Sequence, residues 1–545
     1  MSSQVCDYSS DCSRQCTQDS CGEDIPFVRE KKQRRTIHGV FGGIHGAKRR
    51  KYGGGQNALM AALKSCAKKK DLNEGRRIHA DILNWGLLEN DVYFGNALVN
   101  LYVKCGALAR AAEVLYELQF RDTITWNALI AGYAQCGYGK EALSCFDCMQ
   151  REGITPDAVT FVCTLKACSC TGANRKGKAI HAEIMRDNTL ETNLFIGSAL
   201  VDMYGKCGEL AKAQRVFDEL QSRNIVCWNA LISGYVQYGC SEEALNCFQQ
   251  MQREGMSPDP VTFVCILKAC GNINAADKGR EIHDEIVRLR LFCKDTFLGT
   301  ALLDMYAKCG QFSKAMEVLD QLPSRNVVSW NSLIAGYVKH NQCEEAVKHY
   351  DQMHREGLSP DAVTFVCVLK ACAGIRAAEK GKEIHDEIVR LRLLEKNTLI
   401  GNALVDMYAK CGAVAKAQEV FDELQVRDVV SWTALIAGYT QHGHAEEALH
   451  WFHNMQHDGP NPNAITYVCI LGAYASMGAV DKGKEIHADI IKAGLLEKDV
   501  LYGNALLDMY SKCGAPSKAQ EVFDELKIRD VVSWTALITG YTDYG

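Results

Sequence analysis

The nine residues "DVVSWTALI" stand at Asp428–Ile436 and return unchanged at Asp530–Ile538, 102 residues later. Near copies begin at Asn326 ("NVVSWNSLI"), Asn224 ("NIVCWNALI") and Asp122 ("DTITWNALI"), so Trp126, Trp228, Trp330, Trp432 and Trp534 share one spacing. His79, His181, His283, His385 and His487 keep the same period, as do Tyr102, Tyr204, Tyr306, Tyr408 and Tyr510. Pro156, Pro258, Pro360 and Pro462 follow it too. A period held without insertion or deletion is the mark of stacked repeats, because a change of length in one repeat breaks the packing register of its neighbours. The chain is therefore one extended array, whatever number of domains its 545 residues would otherwise allow.

Each unit of 102 residues divides into three segments of 31, 35 and 36 residues, as Leu194–Asp295 shows. In the second segment Leu231, Ile232 and Tyr235 form one apolar stripe at helical spacing, and Ala244, Leu245, Phe248 and Met251 form another. Gly239 separates the two, and Ser257-Pro258 ends the pair. All three segments predict helix–turn–helix. Neither helix can bury its stripe alone, whereas stacked pairs can. The expected fold is all-α, a right-handed superhelical α-solenoid with a concave inner groove.

The array is expected over 56–545, as 14 complete repeats and one truncated repeat. Segment 1–55 lies outside the period and is expected to be disordered; it carries the basic runs "KKQRR" and "KRRK". At the other end Trp534, Leu537 and Ile538 are expected to lack a covering helix, as in a fragment of a longer array. A net charge of −5 gives no support for generic, charge-driven binding of nucleic acid, but leaves room for a reader whose specificity sits in a groove. No apolar run reaches the roughly 18 residues of a membrane span. The 26 cysteines are expected to be reduced and mostly buried, acting as small apolar residues.

The motifs "GNALVDMYAKCG", "VVSWTALIAGY", "EEALxxFxxMxxxGxxPD" and "GKEIHxxI" in alternating 31-, 35- and 36-residue units resemble the pentatricopeptide repeat (PPR) proteins of land plants. More narrowly, they resemble the subclass that alternates short, standard and long motifs. The resemblance implies sequence-specific binding of single-stranded RNA in a mitochondrion or chloroplast, one nucleotide per repeat. It implies a site-recognition factor for C-to-U editing, or a factor for transcript processing or stabilisation, with any deaminase acting in trans. No catalysis, metal or cofactor is implied for this chain.

In the family the base is selected by the fifth residue of a repeat's first helix together with the last residue before the next repeat. Here Asn96 with Asp122, Asn127 with Asp157, Asn229 with Asp259, Asn331 with Asp361, Asn402 with Asp428 and Asn504 with Asp530 resemble the uracil-preferring pair. Ser198 with Asn224, Thr300 with Asn326 and Thr433 with Asn463 resemble the adenine-preferring pair. The long repeats carry Val162, Val264, Val366 and Val468 at the fifth place; valine cannot hydrogen-bond a base, so these repeats are expected to space rather than read. The expected target is 5′-UUNAUNAUNUANU-3′. Ile124, Val226, Val328 and Val430 are expected to wedge against base faces; Lys104, Lys206, Lys308, Lys410 and Lys512 read as solvated helix ends near the C-terminal dipole, with phosphate contact the alternative role.

Other signals are weaker. "GANRKGKA" from Gly172 approaches a phosphate loop, but Ala179 replaces the required hydroxyl and no strand precedes it. "HAE" and "HDE", beginning at His181 and His283, match half of a zinc deaminase pattern whose P-C-x-x-C half is missing. A protein-interaction scaffold of tetratricopeptide type is the alternative function, since "WNALIAGY", Ala142, Phe146 and Pro156 echo that motif. Its unit is 34 residues, however, and a peptide groove does not explain the paired Asn/Ser/Thr and Asp/Asn positions. The first 24 residues hold five acidic residues and one arginine, unlike a typical transit peptide.

Overall fold

The computed structural model describes residues 55–90, 92–186, 193–292, 296–496 and 498–544. The expectation for segment 1–55 falls almost wholly outside them. Every described secondary-structure element is helical, which is the all-α class expected from the repeats. The chain divides into two compact units, one ending at Ala269 and the other beginning at Cys270.

In the first unit the first helices of successive repeats, Val92–Lys104, Thr123–Gln135, Ala158–Thr171, Leu194–Lys206 and Ile225–Gln237, pack each on the next. Their second helices, among them Gly139–Arg151 and Ser241–Arg253, form an adjoining layer. The second unit repeats the scheme, with first helices running from Thr296–Lys308 through Val327–Lys339, Ala362–Gly374 and Thr398–Lys410 to Val531–Tyr544. Each unit is thus a stack of helical hairpins, the solenoid construction.

The sequence makes these hairpins locally. Gly239, between Ile225–Gln237 and Ser241–Arg253, has φ +77°, a left-handed conformation that other residues adopt only with strain. Trp126, Trp228 and Trp330 are fully buried, and Ala244, Phe248 and Met251 are buried on the helix that packs against that of Trp228. The Phe217 ring meets Trp228 edge-on at 4.5 Å, and Tyr116–Trp126, Phe421–Trp432 and Phe523–Trp534 make the same contact, so these tryptophans also fasten their repeats to the ones before. All 21 described cysteines are free, and most are buried or half-buried.

Two look-alike motifs resolve into packing. Gly172 has φ +64° and caps the helix Ala158–Thr171, so "GANRKGKA" is a two-residue turn that runs straight into the helix Asn174–Ile184. Within it Gly177 admits the next repeat: a Cβ there would stand 2.5 Å from Met203 Sδ. The histidines of "HAE" and "HDE" lie against the next short repeat, with His181 Nδ1 2.9 Å from the Tyr204 hydroxyl and His283 Nδ1 2.9 Å from that of Tyr306. One expectation needs correction. Trp534 and Ile538 are exposed, at 51% and 57%, but Leu537 is only 6% exposed. The helix Val531–Tyr544 packs on Val500–Lys512 and Pro516–Glu525, which suffices to cover it.

Candidate nucleic-acid interface

The last residue of each short or standard repeat has a local task that sequence spacing conceals. It is the N-cap of the next repeat's first helix. Asp157 Oδ1 accepts from the Thr160 backbone N–H at 2.8 Å, while Thr160 Oγ1 accepts from the Asp157 N–H at 3.1 Å. Asp122, Asn326, Asp361 and Asn463 close the same reciprocal box, and Asn224 and Asp428 cap without it. Asp259 and Asp530 receive the Thr262 and Ser533 N–H groups at 2.8 and 2.9 Å. Asp and Asn both satisfy an otherwise unpaired helix-end donor, worth about 1 kcal/mol.

The fifth residues then meet these caps. Asn96 Nδ2 donates to Asp122 at 3.1 Å, Asn127 to Asp157 at 2.9 Å, and Asn229 to Asp259 at 3.0 Å. Asn331 donates to Asp361 at 2.9 Å, Asn402 to Asp428 at 3.0 Å and Asn504 to Asp530 at 3.1 Å. All six Asn–Asp pairs are hydrogen-bonded. The three Ser/Thr–Asn pairs are not joined in this way. Ser198, Thr300 and Thr433 turn their hydroxyls back to the carbonyls of Leu194, Thr296 and Val429, at 2.7, 2.9 and 2.6 Å. Such a hydroxyl has no proton left for a carboxylate, and the cap beside it is Asn224, Asn326 or Asn463 in every case.

Most of these side chains are buried. Asn127, Asn331, Asn402 and Asn504 are no more than 8% exposed, and Ser198 and Thr433 are 6% and 7%. Burial alone would raise the Asp122 and Asp157 carboxyls. The Thr125 and Thr160 N–H groups and the Asn96 and Asn127 amides outweigh it and hold them below the usual carboxylate range. Asp530 is held low chiefly by the Ser533 N–H. Each such cap is thus an anion at neutral pH. In the first unit Asn96, Asn127 and Asp157 line one open recess of about 800 Å³, whose walls include Ile124 and Val159.

The apolar rim is wider than the four wedges anticipated. The second residue of every first helix is exposed: Ile124, Val226, Val328 and Val430 as expected, but also Val159, Val261, Val363 and Ile465. In the short repeats the position is larger, with Tyr93 75% and Phe195 73% exposed, and Phe297, Leu399 and Leu501 following. The signal was present in the sequence as an apolar residue one turn before each fifth position. Four of the five repeat lysines make local ion pairs. Lys206, Lys308, Lys410 and Lys512 each pair with an aspartate one turn earlier, Asp202, Asp304, Asp406 and Asp508, at 2.8–3.0 Å. Only Lys104 of the five has Asn100 at that place.

Comparison with known proteins agrees with this geometry. Models described as "PPR repeat family" match residues 121–170, 223–272, 325–374 and 427–476, and models described as "PPR repeat" match 198–225, 300–327, 402–429 and 504–531. A chloroplastic pentatricopeptide repeat-containing protein of Arabidopsis thaliana is 37% identical over 471 residues, covering 86% of this chain and 75% of that protein. The chain belongs to the pentatricopeptide repeat family. A mitochondrial member from the same plant is 34% identical over 88% of this chain and 46% of its own length, and the chloroplastic DOT4 is 36% identical over 89% and 56%. The chain therefore spans three quarters of the first relative and about half of the others. Among solved structures, this PPR chain shares its fold with PPR10 from maize, at a TM-score of 0.56 and 22% identity, over 88% of this chain and 74% of that one. PPR10 in complex with an 18-nt psaJ RNA element aligns at a TM-score of 0.55 and 18% identity, over 89% and 76%.

Proposed function

We propose that this PPR chain binds single-stranded RNA in a plant organelle, reading one base with each short or standard repeat. The observation that carries the proposal is the correlation between the fifth residue and the cap. Six asparagines bond an aspartate cap, and three hydroxyl residues stand beside an asparagine cap. Capping alone accepts Asp or Asn at every position. A base edge does not. A carboxylate accepts from the N3–H of uracil while the adjacent amide donates to a uracil oxygen, whereas adenine N1 is itself an acceptor and is repelled by that carboxylate. Asn beside Ser or Thr supplies a donor to N1 instead. The reading assigned to Asn96–Asp122, Asn127–Asp157, Ser198–Asn224, Asn229–Asp259, Thr300–Asn326, Asn331–Asp361, Asn402–Asp428, Thr433–Asn463 and Asn504–Asp530 is 5′-UUNAUNAUNUANU-3′.

The fixed alternation of 31-, 35- and 36-residue segments supports the short–standard–long subclass. We assign the chain as a site-recognition factor for C-to-U editing. The chloroplastic and mitochondrial relatives, and the RNA element bound by PPR10, support an organellar RNA ligand. The test is to recover RNA crosslinked to the tagged chain in plant cells and to sequence organellar transcripts with and without it. Loss of C-to-U conversion beside the bound site supports editing. Altered transcript ends with conversion intact would reassign the chain to processing or stabilisation.

A further inference from the structure

The long repeats were expected to be silent spacers, because valine fills their reading position. Their first helices nevertheless carry a cation on the same face. Val159, Val162 and Lys166 follow one another at three- and four-residue steps along Ala158–Thr171, and so share one side of that helix. Lys64, Lys268 and Lys370 hold the equivalent place in the other long repeats, and the last has Gly472 there. Lys64 lines the recess that also contains Asn96, Asn127 and Asp157.

These lysines differ from those of the short repeats in what surrounds them. Lys206, Lys308, Lys410 and Lys512 are each neutralised by an aspartate of their own helix. Among the described residues, no ion pair or hydrogen bond involves the side chain of Lys64, Lys166, Lys268 or Lys370. Lys64, Lys166 and Lys370 are exposed and Lys268 is half-buried. Asp202, bonded by Ser169 one turn from Lys166, is already paired with Lys206. Burial pushes the Cys265 and Cys367 thiols up to about 11 and raises that of Cys163, so each stays neutral beside its lysine.

We infer that the long repeats grip the phosphodiester backbone through Lys64, Lys166, Lys268 and Lys370, while the short and standard repeats between them read bases. This inference rests on the RNA-binding function proposed above. It gives the repeat types separate tasks. A lysine every 102 residues fixes the strand's register electrostatically without reporting sequence, and the paired lysines of the short repeats add little because their charge is already met. It also fits a chain whose overall charge is negative, since local unpaired cations attract a phosphate backbone whatever the net charge.

The salt dependence of binding separates these lysines from the paired ones. Affinity of the full chain for the 13-nucleotide target is measured across a range of salt concentrations. For a single strand, each phosphate neutralised contributes about −0.7 to the slope of log K against log salt. The variant K64Q/K166Q/K370Q is expected to lose about 2 units of slope while keeping its preference among A- and U-exchanged targets. The charge-neutral variant D304N/K308Q/D406N/K410Q is expected to keep the wild-type slope. An unchanged slope in the first variant, or an equal loss in both, overturns the inference. If the unaltered chain binds no RNA at any salt concentration, the proposed function fails, and this inference with it, before any variant is needed.

Discussion

Asn127 and Asp157 lie 30 residues apart and are joined by a 2.9 Å hydrogen bond from the amide to the carboxylate. Thr160 closes the set, donating to Asn127 Oδ1 at 2.6 Å while Asp157 caps its helix. One aspartate therefore serves a helix end and a reading position together, and substitution can separate the two tasks. Asp157→Ala removes both, and is expected to cost about 1 kcal/mol of stability along with affinity for the target. Asp157→Asn keeps a capping oxygen. Denaturant unfolding should show it within a few tenths of a kcal/mol of wild type, while binding to RNA with uracil at the second position weakens relative to other bases. Equal preference before and after would leave the pair with a structural task alone.

Phe195 tests the apolar rim. Its ring is 73% exposed, so Phe195→Ala should leave stability within about 0.5 kcal/mol. If bases stack on this rim, the same change should weaken RNA binding by roughly 1–3 kcal/mol, whichever base is present. Titration of wild type and variant with the target and its exchanged versions checks both halves.

Gly279 tests the packing between repeats. A Cβ at this position would stand 2.4 Å from Met305 Sδ, closer than atoms pack. Gly279→Ala is expected to destabilise the fold by about 1–3 kcal/mol, seen as a lower denaturant midpoint. The neighbouring Met305→Ala should recover part of that loss when combined with it.

Five buried or half-buried histidines make stability depend on pH. Burial lowers the proton affinity of His79, His181, His283, His385 and His487 in the folded chain. The unfolded chain takes up these protons near pH 6.5, about the value for free histidine. Their contribution is therefore complete above that pH and is lost as pH falls below it. The urea midpoint should be lower at about pH 5.5 than at about pH 7.5, with a smaller drop once His181 and His283 are replaced by Gln. Equal midpoints would show that these rings do not titrate differently on folding.

Much of this fold was legible because stacking permits so little variation. A constant period, glycines at hairpin turns and tryptophans at one register define helix pairs whose boundaries the structure keeps. Leu537 was misjudged because a single helix is covered from the preceding repeat as well as by its own partner. The candidate site was only half legible. The fifth residues and caps could be placed, but the hydrogen bond between them joins residues 26–30 apart and depends on how the hairpins stack. The Asp202–Lys206 spacing was in the sequence, and a four-residue step on a helix already predicts an ion pair.

The most direct measurement is the affinity of the purified chain for UUNAUNAUNUANU, at stated salt, beside targets in which A and U are exchanged at the reading positions. Sequence readout predicts a loss of about 1–3 kcal/mol for each wrong base, roughly additive across separated repeats. Equal, salt-sensitive affinity for every target would contradict it, leaving the Asn–Asp pairs as helix caps and nothing more.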